Sequence, residues 1–169
     1  MEERGRDLEY FAAIGRVAVE EARVPVALIL NEASSFEQIV QGIRYGFSAV
    51  MIDGSNLPYE SNVRLTRSIV EVAHAVDVSV EGQLDELPHA KSGLFSEKLT
   101  DSQMTDPYRA RDYVNETDID ALSVSVGNVH VMYAQQAQID TDRISRIAEA
   151  TGVPLVIHGA TSTGDDCIK

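Results

Sequence analysis

The 169-residue sequence is poor in cysteine, in lysine and in long apolar runs. Its single cysteine, Cys167, excludes an internal disulfide framework. No apolar run approaches the ~18 residues of a membrane-spanning helix, and no signal-peptide pattern opens the chain. A soluble, cytosolic protein is therefore expected. Positive charge is also scarce: 14 basic residues, only three of them lysine, stand against 27 acidic ones, for a net charge of −13. Such a surface repels nucleic acid and anionic membranes, which disfavours both as partners. Its plain use is solubility. A salt-rich cytoplasm and a GC-rich genome would each produce this balance. There is no low-complexity segment and no repeat beyond strand–helix alternation. The length fits one domain, residues 1–169, with a substantial core.

What is present is a regular βα pattern. Residues up to Glu21 are charged, then helical, with Tyr10, Phe11, Ile14, Val17 and Ala18 as an apolar stripe. Pro25 to Leu30 is a short apolar run that predicts a strand. Ser34 and Glu37 have capping-box spacing, predicting a helix from Ser34 with Phe36, Ile39, Val40, Ile43 and Phe47 on its apolar face. Ala49 to Ile52 is a second strand, followed by the turn Asp53-Gly54-Ser55. Two apolar strands joined by one helix make a βαβ unit with a parallel sheet. Pro58 to Ala75 predicts a helix with Val63, Ile69, Val70, Val72 and Ala73 inward, and Val76 to Val80 a strand that delivers Glu81. Gly82 to Pro107 is irregular, a loop of the length that active-site lids have. A short helix over Pro107 to Glu116, a strand over Ala121 to Val126, a helix capped by Asp140 or Thr141 and a strand over Pro154 to Ile157 follow. The count is five strands.

Each strand ends in polar residues: Asn31 and Glu32, Asp53, Glu81, His130, and His158. A parallel α/β sheet gathers such residues at one rim. Two imidazoles and a carboxylate suit a catalytic zinc with an open position, and Asp53 and Glu81 are hard oxygen donors for a second cation. His74 and His89 are expected to be solvated.

SFEQ at Ser35–Gln38, IRYGF at Ile43–Phe47 and MIDGS at Met51–Ser55 carry a resemblance. The chain is similar to the class II, metal-dependent fructose-bisphosphate and tagatose-bisphosphate aldolases, over about Asp7 to Lys169. The resemblance implies a TIM-type (β/α) barrel, incomplete here at about five of eight βα units, since a closed barrel has eight strands and ~250 residues. The chain is then a fragment, or its open edges are covered by another copy of itself or by other chains. The implied reaction is metal-dependent cleavage of a ketose bisphosphate to dihydroxyacetone phosphate and an aldehyde, with zinc polarising the carbonyl. Of the family's three zinc histidines, the second and third match His130 and His158 and the first matches Glu32. Asp53 and Glu81 match residues tied to a second metal position, and Gly159-Ala160-Thr161 matches the phosphate-binding Gly-Ala-Ser.

The departures from the family cluster at the reactive positions. The family's His-x-Asp-His-Gly reads Ile29-Leu30-Asn31-Glu32-Ala33, so its acid–base aspartate is Asn31. An amide orients a hydroxyl but exchanges no proton at neutral pH, a loss of ~10²–10⁴-fold in rate. Glu32 in place of histidine adds negative charge and makes a bound metal a weaker Lewis acid. Glu-x-Glu-Leu-Gly reads Glu81 to Asp85, with Gln83 second; Val131 replaces a glycine and Ala134 a lysine, with Tyr133 kept. The family's second phosphate loop has no counterpart. These changes predict an aldolase homologue with impaired or lost activity. The alternative is a non-catalytic relative acting as a binding or subunit-interaction protein, and a changed lyase reaction served by Glu32 also stays open.

Overall fold

A computed structural model describes residues 2–89, 99–130, 137–159 and 163, with side chains from residue 7 onward. The elements alternate: α1 (Glu2–Glu21), β1 (Ile29–Ala33), α2 (Phe36–Tyr45), β2 (Ala49–Ile52), α3 (Tyr59–His74), β3 (Ser79–Gln83), α4 (Pro107–Thr117), β4 (Ala121–Ser123), α5 (Thr141–Thr151) and β5 (Leu155–Val156). A 3-10 turn at Asp101–Gln103 interrupts the long loop after β3. All strand pairs are parallel, and the strands lie side by side in sequence order, β1-β2-β3-β4-β5. A doubly wound sheet reverses its order at a switch point; a barrel does not. The architecture is five βα units of a TIM-type barrel.

Local chemistry sets the boundaries. Ser35, not Ser34, caps α2: its Oγ accepts from the Gln38 amide at 3.2 Å, while Gln38 Oε1 accepts from the Ser34 amide at 3.0 Å. The expected capping box is thus displaced by one residue. Asp106 caps α4 by accepting from the amides of Tyr108 and Arg109, with Pro107 first in the helix. Asp140 caps α5, and Gly152 ends it in the left-handed region.

The strands depart from expectation at their ends. β1 runs on through Asn31 and Glu32 to Ala33, because Ala33 is fully buried and pairs with Ile52. β3 starts at Ser79 rather than Val76, which is exposed, and carries Glu81 in its middle rather than past its end.

Val50, Ile52, Val80 and Leu122 from the sheet meet Ile39, Ile69, Tyr113 and Ile147 from the helices, all at most 1% exposed. Each such side chain contributes about 1.5–3 kcal/mol by leaving water. Val72 is the exception on α3 and lies outward. One polar knot sits in this core. The hydroxyls of Thr66 and Tyr113 are 2.8 Å apart and both lie 3.1 Å from Asn62 Oδ1, while Asn62 Nδ2 donates to the Gln83 carbonyl at 2.8 Å. It ties α3 and α4 to the end of β3.

The α1 stripe does not face the core. Tyr10, Phe11 and Ile14 are 66%, 68% and 67% exposed, while Ala12 is buried in the core. Among the described residues α1 packs chiefly on α2, which leaves the stripe on an outer face. No helix among the described residues is long and apolar enough to cross a membrane.

Candidate active site

The rim at the carboxyl ends of the strands begins with a distortion. β1 pairs with β2 through Leu30–Val50 and next through Ala33–Ile52, so Asn31 and Glu32 together stand opposite Met51. This is a β-bulge, which re-aims side chains at a rim. Glu32 adopts φ 49°, in the left-handed region, a conformation that costs a non-glycine residue about 1–3 kcal/mol. Its Oε1 lies 4.0 Å from His130 Nε2. Asn31 is exposed beside it.

Asp53 closes the turn after β2 by accepting from the Ser55 amide at 3.0 Å and from its hydroxyl at 2.6 Å. Gln83 Nε2 reaches the same hydroxyl at 3.4 Å. Glu81, 5% exposed, points its Oε1 at His158 Nε2 at 2.6 Å. That contact raises the His158 pKa above its ordinary value, against the opposing effect of burial. With its proton held on Nε2 by the carboxylate, neutral His158 keeps a lone pair on Nδ1, the arrangement that prepares a metal-binding imidazole.

His130 is different. Its Nε2 is buried with no hydrogen bond, and burial holds its pKa below the usual value, outweighing the attraction of Glu32. It is therefore a neutral imidazole with an unsatisfied nitrogen. Its loop is held from beneath by Asn128, which accepts from the Val126 amide at 2.8 Å and donates to the Val124 and His158 carbonyls at 3.2 and 2.9 Å. Gly159, at φ 71°, lets the loop after β5 approach it: a Cβ there would sit 2.7 Å from the Val129 carbonyl oxygen. The His130 and His158 rings stack 6.2 Å apart.

His89 is exposed, as the sequence suggests, but it is not a free loop residue. The loop after β3 folds back onto the loop after β4: the His130 amide donates to the Pro88 carbonyl at 2.9 Å, and His89 and His130 form a parallel bridge. Their ring centres are 4.9 Å apart. Both line a pocket of about 130 Å³ together with Glu32, Asp53 and Gln83. Its only sequence signal is its place soon after a strand end, where no periodicity reports where a loop returns. His74, by contrast, pairs at 2.9 Å with Asp120, whose carboxylate also accepts from the Val80 amide. Among the sequence-derived candidates, Val131, Ala160 and Thr161 lie outside the described residues, as do Tyr133 and Ala134.

Among the described residues no three His, Cys, Asp or Glu side chains are already converged to hold a metal ion. The donor chemistry nonetheless fits zinc. His130 has a bare buried nitrogen, His158 has its tautomer fixed by a carboxylate, and Glu32 is a carboxylate at the same pocket.

The comparisons agree with this architecture. The profile of class II fructose-bisphosphate aldolases matches residues 1–169. A fructose-bisphosphate aldolase of Thermus caldophilus is 39% identical over 152 residues, covering 89% of this chain and 50% of that protein. The crystal structure of the YdjI aldolase from Escherichia coli K12 superposes with a TM-score of 0.80 at 30% identity, covering 95% of this chain and 55% of that one. A fructose-bisphosphate aldolase from Campylobacter jejuni, 18% identical with a TM-score of 0.66, shares the fold. The chain spans about half the length of these relatives. With five sequential parallel βα units, a histidine-bearing rim and a family match along its whole length, the chain belongs to the class II fructose-bisphosphate aldolase family.

Proposed function

We propose that the chain keeps the metal-binding part of a class II aldolase site and has lost its proton-transfer part. Zinc would be held by His130, His158 and Glu32, and would supply Lewis-acid polarisation of a ketose carbonyl. Glu81 orients His158 from behind. Asp53 is the remaining oxygen donor at the pocket for a second cation. The observation that carries this reading is the buried, unsatisfied Nε2 of His130 facing the pocket beside Glu32.

The substrate class under this reading is a ketose bisphosphate, cleaved to dihydroxyacetone phosphate and an aldehyde, with Gly159, Ala160 and Thr161 on a phosphate. Asn31 can hold a substrate hydroxyl but cannot take its proton, so cleavage falls by ~10²–10⁴-fold. A cytoplasmic location accompanies the reading.

A second reading is a non-catalytic relative whose role is to bind other subunits. It is favoured by the exposed Tyr10, Phe11 and Ile14 stripe, which a homo-oligomer or a partner chain would cover.

The test is aldol cleavage of fructose 1,6-bisphosphate, with the triose phosphate product trapped by reduction, in the zinc-loaded full chain. Wild type should be nearly inactive, and Asn31→Asp with Glu32→His should gain at least roughly 10²-fold. No gain in a zinc-bound double variant would favour the second reading. Full wild-type activity would contradict the loss of proton transfer.

A further inference from the structure

We propose that His89 is a metal ligand of this chain, joining His130 at the position where Glu32 has replaced a histidine. This rests on the reading that the pocket holds zinc, and concerns which side chains hold it. His89 lies outside the Glu81–Asp85 stretch that carries the family correspondence, so no family role attaches to it.

Three observations point there. First, the placement belongs to the backbone. The His130 amide bonds to the Pro88 carbonyl at 2.9 Å, and His89 bridges His130 in parallel register. The backbone therefore holds the two residues side by side. Second, the spacing is that of co-ligands. With Zn–N of about 2.0–2.1 Å and ring centres roughly 1.2 Å behind the nitrogens, two imidazoles at a tetrahedral angle stand about 5 Å apart. His89 and His130 are 4.9 Å apart, whereas His130 and His158 are 6.2 Å apart. Third, the donor facing them is free: His130 Nε2 is buried and makes no hydrogen bond, with Glu32 Oε1 4.0 Å away. Two carboxylate oxygens on zinc at a tetrahedral angle, or a nitrogen and an oxygen, stand about 3.3 Å apart, so Glu32 needs a shift of under roughly 1 Å. Glu32 and His89 are both exposed and can make it. The resulting set is His130, His89 and Glu32, with a fourth position left open and His158, its ring 6.2 Å from that of His130, beside it.

A second imidazole also answers the chemical problem of this site. Exchanging histidine for glutamate adds charge to the metal and weakens its pull on a carbonyl. A neutral nitrogen donor from His89 restores the imidazole count without restoring the residue at position 32.

The experiment is competitive zinc titration against a chromogenic chelator, with the full chain, wild type beside His89→Ala, His89→Cys and His130→Ala. Wild type should bind one zinc and His89→Ala should weaken it by at least roughly tenfold, the least that even an outer-shell partner contributes. The cobalt-loaded His89→Cys variant should regain affinity and show a sulfur-to-cobalt charge-transfer band, which a merely structural role for His89 would not produce. Unchanged affinity in His89→Ala, together with no such band in His89→Cys, would overturn the proposal. If zinc is lost in His130→Ala at the same time, the metal reading survives without His89. Absence of zinc from the wild type would overturn both.

Discussion

The two sides of the rim are built differently. At the β3–β5 side, Glu81 is buried with its side chain 6% exposed, His158 is bonded to it, and Asn128 makes three hydrogen bonds to the loops around both histidines. At the β1 side, the Glu32 side chain is 41% exposed, sits on a bulge at φ 49°, and lies 4.0 Å from His130 Nε2. On the first side, a change of residue leaves buried polar groups without partners, which costs about 1–3 kcal/mol each. On the second, a change at exposed Asn31 has little folding consequence, since exposed, unstrained substitutions stay within about 0.5 kcal/mol. The lesson is that a rim can hold its histidines by folding energetics while its exposed residues stay free to change. Asn31 and Glu32 fall where folding opposes change least.

The largest effect should come from the rigid side. Asn128→Ala removes three buried hydrogen bonds and should lower stability by about 2–4 kcal/mol in urea unfolding. Asn31→Ala should leave it within about 0.5 kcal/mol. Equal losses at the two positions would erase the contrast.

Next in size is metal affinity. Glu81→Gln keeps the shape behind His158 but removes the charge, and should weaken zinc binding by about 10–100-fold. Asn31→Asp, measured alongside, should leave zinc affinity unchanged while raising cleavage.

The strain on the β1 side gives a smaller effect of opposite sign. Glu32→Gly relieves the left-handed conformation and should raise the unfolding free energy by about 1 kcal/mol, at the expense of zinc affinity. A stability loss would mean that Glu32 is held by contacts stronger than its 4.0 Å approach to His130.

The smallest effect concerns Asp85, at the end of the β3 segment. Burial raises its pKa above the ordinary value, although the Thr105 hydroxyl and Arg109, at 3.7 Å, pull it down. One of its oxygens, Oδ2, is buried without a partner. A raised folded-state pKa means that the folded chain binds the proton more tightly. Stability therefore falls as pH rises from the unfolded value of 3.8 through the folded one, and the deficit persists above it. Asp85→Asn should be more stable than wild type near neutral pH, with the gap closing toward acid. Chemical unfolding at several pH values tests this, and a gap that widens toward acid would contradict it.

The same contrast explains what the sequence made legible. Ala49–Ile52 was read to the residue because an all-apolar run between polar neighbours has one solution in a buried parallel sheet. The Pro107 start of α4 and the Asp140 cap of α5 were read from capping chemistry. β1 and β3 were misplaced because polar residues lie within them, and only tertiary pairing makes Glu32, Glu81 and Gln83 strand residues. Asn62 and Thr66, one turn apart on α3, went unnoticed because their partner Tyr113 is 51 and 47 residues away from them. His89 was discounted for the same reason: it meets His130 through a loop that returns, which no local pattern encodes. The α1 stripe was legible as an apolar face, but helical periodicity does not name what covers it, and Tyr10, Phe11 and Ile14 are exposed.

The most direct measurement is the zinc content, by elemental analysis, of the full chain after metal reconstitution, in wild type, His130→Ala and Asn31→Ala. About one zinc per chain in wild type and Asn31→Ala, lost in His130→Ala, is the predicted result, because the proposed ligand set includes His130 and not Asn31. No zinc in wild type, or zinc retained without His130, would contradict the claim that the metal-binding half of the site survives.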